Sequence, residues 1–455
     1  MSRELRILAP TAILGYGFPE ESFLKAIEKK PHVISVDAGS TDPGPYYLGV
    51  GKSFTDRQAV KRDLELMIQY GLELKIPVIV GTSGGSGAKS HLKWTEDIIL
   101  EIAKEKGFTF KMAVIPADIE KSYLKEALAK DKIIDMYDSI PLSNEEIDAS
   151  TNVVAQMGIE PIVKGIEGGA DVIITGRAYD PTVFAALPIK EGYNPGLAFH
   201  LGKILECACI ASEPGSGSDC MMGYLHDDDF EIEPLSDERK CTTLSVSAHT
   251  LYEKTDPYRL PGPGGLLDLT HTKFEQVTDR RVRVSGSVFH PSEQYTVKLE
   301  GAKSVGYRTV SIAGTRDEIM IRQIDDIIEA VKARTKDNFR NKEMNYKINF
   351  IIYGKNGVMG NWEVIKEPAH ELGIIIDVVG DTSETANTIC SFVRSSMLHY
   401  GYNGRISTAG NLAFPFSPSD FSCGEVYNFN MYHLLKIDDP TALFPVKMVT
   451  VGGEQ

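Results

Sequence analysis

The feature that most constrains the fold is a regular alternation of two hydrophobic periods across residues 1–225. Short apolar, β-branched runs at 5–8, 32–36, 77–80, 110–115 and 171–175 alternate with segments 57–74, 91–106, 118–130 and 144–157. In those longer segments apolar residues recur at helical spacing, as Val60, Leu64, Met67 and Ile68 do on one face. A strand that must pass through a helix before the next strand cannot pair through a tight turn. Right-handed crossovers and a mostly parallel sheet flanked by helices follow. A further helix is expected over 197–212, after Asn194-Pro195-Gly196. Pro10, Gly15 and Gly17 interrupt the apolar start, which is read as a first strand and not as a leader.

The pattern changes after Gly223. The acidic run His226-Asp227-Asp228-Asp229 and the turn-rich Pro261-Gly262-Pro263-Gly264-Gly265 mark boundary and loop. Beyond them, runs 274–277 and 282–285 flank Thr278-Asp279-Arg280-Arg281 as a hairpin would. Strands are expected at 295–299, 307–313, 347–353 and 373–379, with helices at 319–334 and 383–399. The last 50 residues, rich in Gly, Pro, Ser and Phe, are expected to wrap irregularly over the body. The expected architecture is α/β: a domain over 1–225 with a parallel sheet, then an α+β domain over 226–455. At about 150 residues per domain, the 455 residues suit two or three such units.

Composition excludes several classes of function. With 48 Lys and Arg against 63 Asp and Glu, the formal charge is −15. A nucleic-acid binder needs a basic stripe to displace counterions, and an anionic membrane repels such a chain. No continuous apolar run reaches membrane-spanning length. Six cysteines are too few for a disulfide scaffold, and the reducing cytoplasm is the expected setting. A homo-oligomer is expected from the general prevalence of symmetric assemblies.

In an open parallel sheet, ligands bind beyond the carboxyl ends of the strands. The second strand runs into Asp37-Ala38-Gly39-Ser40-Thr41-Asp42. The third runs into Gly81-Thr82-Ser83-Gly84-Gly85-Ser86-Gly87, and the fifth into Gly176-Arg177. The fourth ends at Pro116-Ala117-Asp118. The loop from Thr82 through Ser83, Gly84, Gly85 and Ser86 to Gly87 can bring backbone amides close to an anion ahead of a helix N-terminus. It is not a nucleotide P-loop, since Ala88 separates Gly87 from Lys89, and the dinucleotide fingerprint lacks its third glycine. Arg177 can clamp a carboxylate or phosphate, or pair with a neighbouring carboxylate. Asp180 before Pro181 reads as a helix cap. Asp37 and Asp42 suit acid–base work or a divalent cation, or simply a turn. His200, Lys203 and Cys207 share one helix face, and Ser218, Asp219 and Cys220 follow on a glycine-serine loop. Asp219 joins Asp37 and Asp42 as a candidate acid–base carboxylate, and Ser218 joins the substrate contacts. Cys207, Cys209 and Cys220 lack a paired metal-binding spacing.

Several motifs in order carry a resemblance. These are Gly169-Ala170-Asp171-Val172-Ile173-Ile174-Thr175-Gly176-Arg177, His200-Leu201-Gly202-Lys203-Ile204-Leu205-Glu206-Cys207, Leu251-Tyr252-Glu253 with Asp256-Pro257, and Val282-Arg283-Val284-Ser285-Gly286. Together with Pro261–Gly265 they make the chain resemble the acyclic terpene utilisation family, AtuA, long catalogued as a domain of unknown function. The resemblance implies a place beside catabolic genes for branched or acyclic acids handled as CoA thioesters. Some relatives carry a methylaspartate ammonia-lyase label. It supplies no catalytic residues to carry over. The expected activity is a lyase or hydratase acting on a small organic acid or its CoA thioester. A non-catalytic acid-binding subunit and an actin-like phosphotransferase, suggested by the Asp37 loop, are the alternatives.

Overall fold

The computed structural model describes residues 3–136, 141–252, 255–406 and 411–453; Glu253 of the family motif lies outside them. The chain divides into two compact units, Met1–Lys303 with Phe429–Gln455, and Ser304–Asn428.

The first unit is organised by a mixed ten-stranded sheet. Its centre is five parallel strands in the spatial order Leu5–Ala9, Val33–Asp37, Val78–Gly81, Val172–Thr175 and Phe110–Ile115. These strands are apolar runs because both faces are covered. Ile7, Ile79, Ala113 and Ile173 point into one core, while Ile34, Val80, Val114 and Ile174 point into the other. On the second face lies the helix Arg57–Leu74, at the expected bounds. Asp56 caps it by accepting from the Gln58 and Ala59 amides at 2.9 and 3.1 Å. Lys89–Lys106 packs beside it. Later strands extend the sheet antiparallel: Met221–Leu225 pairs with Leu5–Ala9, then Asp229–Pro234, Val282–Ser285 and Lys273–Gln276 follow. The last pair is the expected hairpin.

Several expectations need correction. The helix expected over 144–157 stops at Ala149, and Asn152–Ala155 is a strand paired antiparallel with Leu299–Ala302. Pairing and burial of Val153 and Val154 outweigh the local helical spacing. The helix expected from Asp118 begins at Lys121. The long helix expected over 197–212 ends at Leu205, and a single 3-10 turn, Ala208–Ala211, follows it and opens on a left-handed Ala208 at φ 45°. The C-terminal residues, expected to be irregular, form strand Asp420–Lys436, helix Pro440–Leu443 and strand Lys447–Val451. The last of these pairs with Phe110–Ile115 and closes that edge of the sheet.

The second unit is α+β. The Tyr307–Thr315 part of strand Thr296–Thr315 pairs antiparallel with Leu372–Gly380, which pairs with Tyr346–Tyr353. Helices Ile324–Asn338 and Ser383–Leu398 bury Ile327, Val331, Ile389 and Val393 with that sheet. The helix expected over 319–334 is interrupted at Gln323. The two strands expected at 295–299 and 307–313 are one continuous strand.

Gly87 tests how tightly the sheet's carboxyl end is assembled. It sits at φ 70°, and an added Cβ would lie 2.2 Å from the Arg177 backbone nitrogen. Gly169, at φ 73°, has open space around the same position. Gly169→Ala is expected to cost about 1–2 kcal/mol, the left-handed penalty alone. Gly87→Ala is expected to cost at least about twice that, read from thermal melts of the two variants.

Candidate functional site

Strand Val33–Asp37 ends on its carboxylate, and Asp37 is 4% exposed. Its Oδ1 has no hydrogen-bond partner in the protein. The oxygen lies over the end of the neighbouring strand, since a Cβ on Gly81 would stand 3.4 Å from it. Burial is the main force raising the Asp37 pKa well above the ordinary aspartate range; the negative charges of Asp180 and Glu206 add to it, and Arg177 opposes them.

The Gly81–Gly87 turn is built from left-handed residues: Thr82 at φ 42°, Gly84 at 67°, Gly85 at 105° and Gly87 at 70°. Only glycine allows its neighbours so near. A Cβ on Gly39 would stand 2.6 Å from the Gly85 carbonyl, and one on Gly176 would stand 2.6 Å from the Gly87 carbonyl. The loops after three adjacent parallel strands therefore touch through their backbones. The Thr82, Ser83 and Gly85 amides bond within the protein, to Thr175 Oγ1, the Thr175 carbonyl and the Thr82 carbonyl. The Thr82 hydroxyl accepts from the Ala178 amide at 3.2 Å. The hydroxyls of Ser83 and Ser86 are buried and have no partner. The fourth loop contributes Asp118, which accepts the Lys89 amide at 3.0 Å and so caps the helix that Ala88 leaves uncapped. That bond explains why Asp118 starts no helix of its own.

Arg177 is buried among carboxylates. Its Nε donates to Glu300 Oε2 at 2.7 Å, and its Nη1 to Asp180 Oδ1 at 2.8 Å and the Ala178 carbonyl at 2.9 Å. Asp180 is thus not a helix cap; helix Thr182–Lys190 starts without a side-chain cap, because the carboxylate is turned to Arg177. Glu300, fully buried, also takes Lys298 Nζ at 2.8 Å and the Thr41 hydroxyl at 3.0 Å. Burial alone would raise the Glu300 pKa, but Arg177 and then Lys298 pull it down to about 2. Burial likewise disfavours the Arg177 charge, and Glu300 and Asp180 reverse this, leaving its pKa raised.

A second group lies along helix Pro195–Leu205 and its continuation. His200 is held inside, with Nδ1 2.7 Å from Ser287 Oγ and Nε2 3.0 Å from Thr250 Oγ1. Burial, then the charges of Lys203 and His249, lower its pKa to about 3, so the ring is neutral. Lys203 is buried, with Nζ 3.8 Å from Glu206 and 5.2 Å from the Tyr252 ring centre. Cys207 Sγ meets the Tyr252 hydroxyl at 3.4 Å. His249, on helix Thr243–Leu251, has a buried Nε2 with no partner; burial and then Lys203 lower its pKa to about 4. Glu206 connects the two groups, since its charge acts on Asp37 and its carboxylate faces Lys203.

The remaining candidates are engaged elsewhere. Asp42 is exposed and accepts from the Ser40 hydroxyl of its own turn at 2.9 Å. Asp219 is buried against Arg239 Nε at 2.9 Å and the Cys220 amide at 2.8 Å. Ser218 is exposed, its amide donating to Ser216 Oγ at 3.1 Å. Cys209 and Cys220 are buried thiols whose pKa values burial raises. Among the described residues, no three His, Cys, Asp or Glu side chains gather as a metal site. Nor is any described helix long and apolar enough to cross a membrane. Glu300, Lys298, Glu206 and His249 were not marked as site residues from sequence. The available signal for the first two was a Lys-x-Glu pair, whose side chains fall on one face of a strand.

A family model described as acyclic terpene utilisation family protein AtuA matches residues 57–218 and 232–413. The chain belongs to this family. No curated protein and no solved structure gives a significant match. The matched stretches hold the Gly81–Gly87 turn, Arg177, Lys203, Glu206, His249 and Glu300, whereas Asp37 precedes them and Asp219 falls between them.

The Glu300 network makes a pH-dependent prediction. A carboxylate whose folded pKa is depressed stabilises the fold above its unfolded pKa, near 4.5, and that stability is lost as pH falls towards about 2. Glu300→Gln removes the carboxylate that Arg177 Nε and Lys298 share and leaves Arg177 only Asp180 as counter-charge, at a cost of about 3–5 kcal/mol at neutral pH. The gap to the wild type should close in acid, which thermal melts across pH will show.

Proposed function

We propose that the Asp37 cluster is a proton-transfer site for a small organic acid, free or as its CoA thioester, working as a lyase or hydratase in a catabolic route. The observation that carries this is the buried Asp37 carboxyl, one oxygen unpartnered, at a strand's carboxyl end where three loops abut. Its raised pKa suits it to carry a proton to a leaving hydroxyl or amine, or to return one to a double bond. Ser83 and Ser86 offer hydroxyls, and the turn offers amides, to the substrate's anionic group. Arg177 acts differently from a free clamp: with Nε and Nη1 committed to Glu300 and Asp180, it positions the loop and offsets their charge.

The charge balance is consistent with this. Arg177, Lys298 and Lys203 face Glu300, Asp180 and Glu206, so a protonated Asp37 leaves the cluster formally neutral. An anionic substrate then enters without meeting net negative charge, despite the −15 of the whole chain. His249, neutral with a buried unpartnered Nε2, is the complementary base, and Lys203 beside it stabilises negative charge developing on the substrate. Asp42, Asp219 and Ser218 take no part in this reading.

Two measurements test it. In D₂O, proton NMR of C4–C6 hydroxy, amino and unsaturated acids and their CoA thioesters should show enzyme-dependent deuterium uptake at carbon for one class. Asp37→Asn should slow that uptake by about 100- to 10,000-fold. No uptake with any of these acids would sink the reading. Stability gives a substrate-free check. A carboxyl whose folded pKa is raised costs stability as pH climbs above its unfolded value near 3.8. Asp37→Asn removes that loss, so its melting temperature should gain on the wild type as pH rises.

A further inference from the structure

The second unit ends its sheet on a strand whose outer edge is uncovered from Tyr346 to Phe350, while the Ile352 carbonyl beyond it accepts the Gly357 amide of the following loop at 2.8 Å. Tyr346–Tyr353 pairs with Leu372–Gly380 along one side, and among the described residues no strand covers its other side. The Asn345 carbonyl accepts the Asp381 amide at 3.0 Å, which sets the alternation: Asn345, Lys347 and Asn349 bond inward. Tyr346, Ile348 and Phe350 therefore turn their amides and carbonyls outward. The strand has no proline, and Lys347 is its one charged residue. Natural sheets normally blunt such an edge. The loop that follows adds a second signal. Val358, Met359, Trp362, Val364 and Ile365 are all more than half exposed, Trp362 at 83% and Val364 at 85%. A cluster of that kind marks a surface meant to be covered.

We propose that a second copy of this chain covers it, through antiparallel pairing of the two Tyr346–Tyr353 edges about a two-fold axis at Ile348. An antiparallel edge is self-complementary, as a closed two-fold interface requires. Centred on Ile348, the outward-facing residues pair with each other: Tyr346 meets Phe350 of the second copy, an aromatic pair. On the exposed face Lys347 meets Asn349 of the second copy, so no like charges stand directly opposite. The apolar loop beyond Tyr353 then lies beside the start of the other copy's strand. A membrane fits this surface less well, since Lys355 and Lys366 are balanced by Glu363 and Glu367 and the chain carries −15.

The register itself supplies the test, because Lys347 and Asn349 are both exposed and can change without disturbing the core. Sedimentation of the full chain at micromolar concentrations should give twice the 50.1 kDa chain mass. Asn349→Lys places lysine opposite Lys347 and should weaken the dimer at least about tenfold, with partial recovery in high salt. Asn349→Asp places a carboxylate opposite Lys347 and should dimerise as well as the wild type or better. Trp362→Ser should weaken the dimer while leaving the melting curve of the monomer intact. A wild type that stays monomeric overturns the proposal, as does a dimer indifferent to both Asn349 variants; capture of a different protein by a monomeric chain counts as the first outcome.

Discussion

The buried contact between Arg177 and Glu300 is the interaction on which the rest of the candidate site depends. A guanidinium and a carboxylate at 2.7 Å, both almost fully out of water, are stable only as a pair and only when their remaining donors and acceptors are satisfied. Lys298, Thr41, Asp180 and the Ala178 carbonyl do this. The network joins the Asp37 loop through Thr41, the loop after Val172–Thr175 through Arg177, and strand Thr296–Thr315 through Glu300. Segments more than a hundred residues apart are thereby held in one arrangement, and Asp37 is left where water cannot solvate its charge.

The proposed function rests on that arrangement more than on any one residue type. Ordinary aspartates are ionised and poor acids at neutral pH. Burial and the nearby Asp180 change this for Asp37, while the Arg177 charge that opposes them is shared with Glu300. The same physics acts with opposite sign on His249 and His200, where burial beside Lys203 removes a positive charge. A buried carboxyl of raised pKa beside a neutral imidazole and fixed cations is what the proposed proton transfer on an acid rests on. The family's association with acyclic terpene utilisation is compatible with a catabolic step of this kind.

Much of the fold was legible beforehand. Phe110–Ile115 and Arg57–Leu74 fall at their expected bounds because each has sharp punctuation: Pro116 directly after the one, and Asp56 as a cap for the other. The strand-end loops were also legible, since parallel topology directs attention there. The residues that proved hard share one trait, which is that a distant partner decides their role. Asn152–Ala155 is a strand because Leu299–Ala302 lies beside it. Asp118 caps a helix that starts 29 residues earlier in the chain. Asp180 serves Arg177 and not the helix that follows it.

By itself, the sequence determined the layered α/β plan, the glycine turn and the net negative charge, because hydrophobic period, backbone permissiveness and composition are local quantities. Tertiary structure alone decided which polar residues share a site, since the desolvation of Asp37 and the pairing of Arg177 with Glu300 depend on distances between segments remote in the chain. Burial converts charges that look equivalent in sequence into different chemical groups: Asp42 and Asp37 lie five positions apart on one loop, yet one faces water and the other is enclosed.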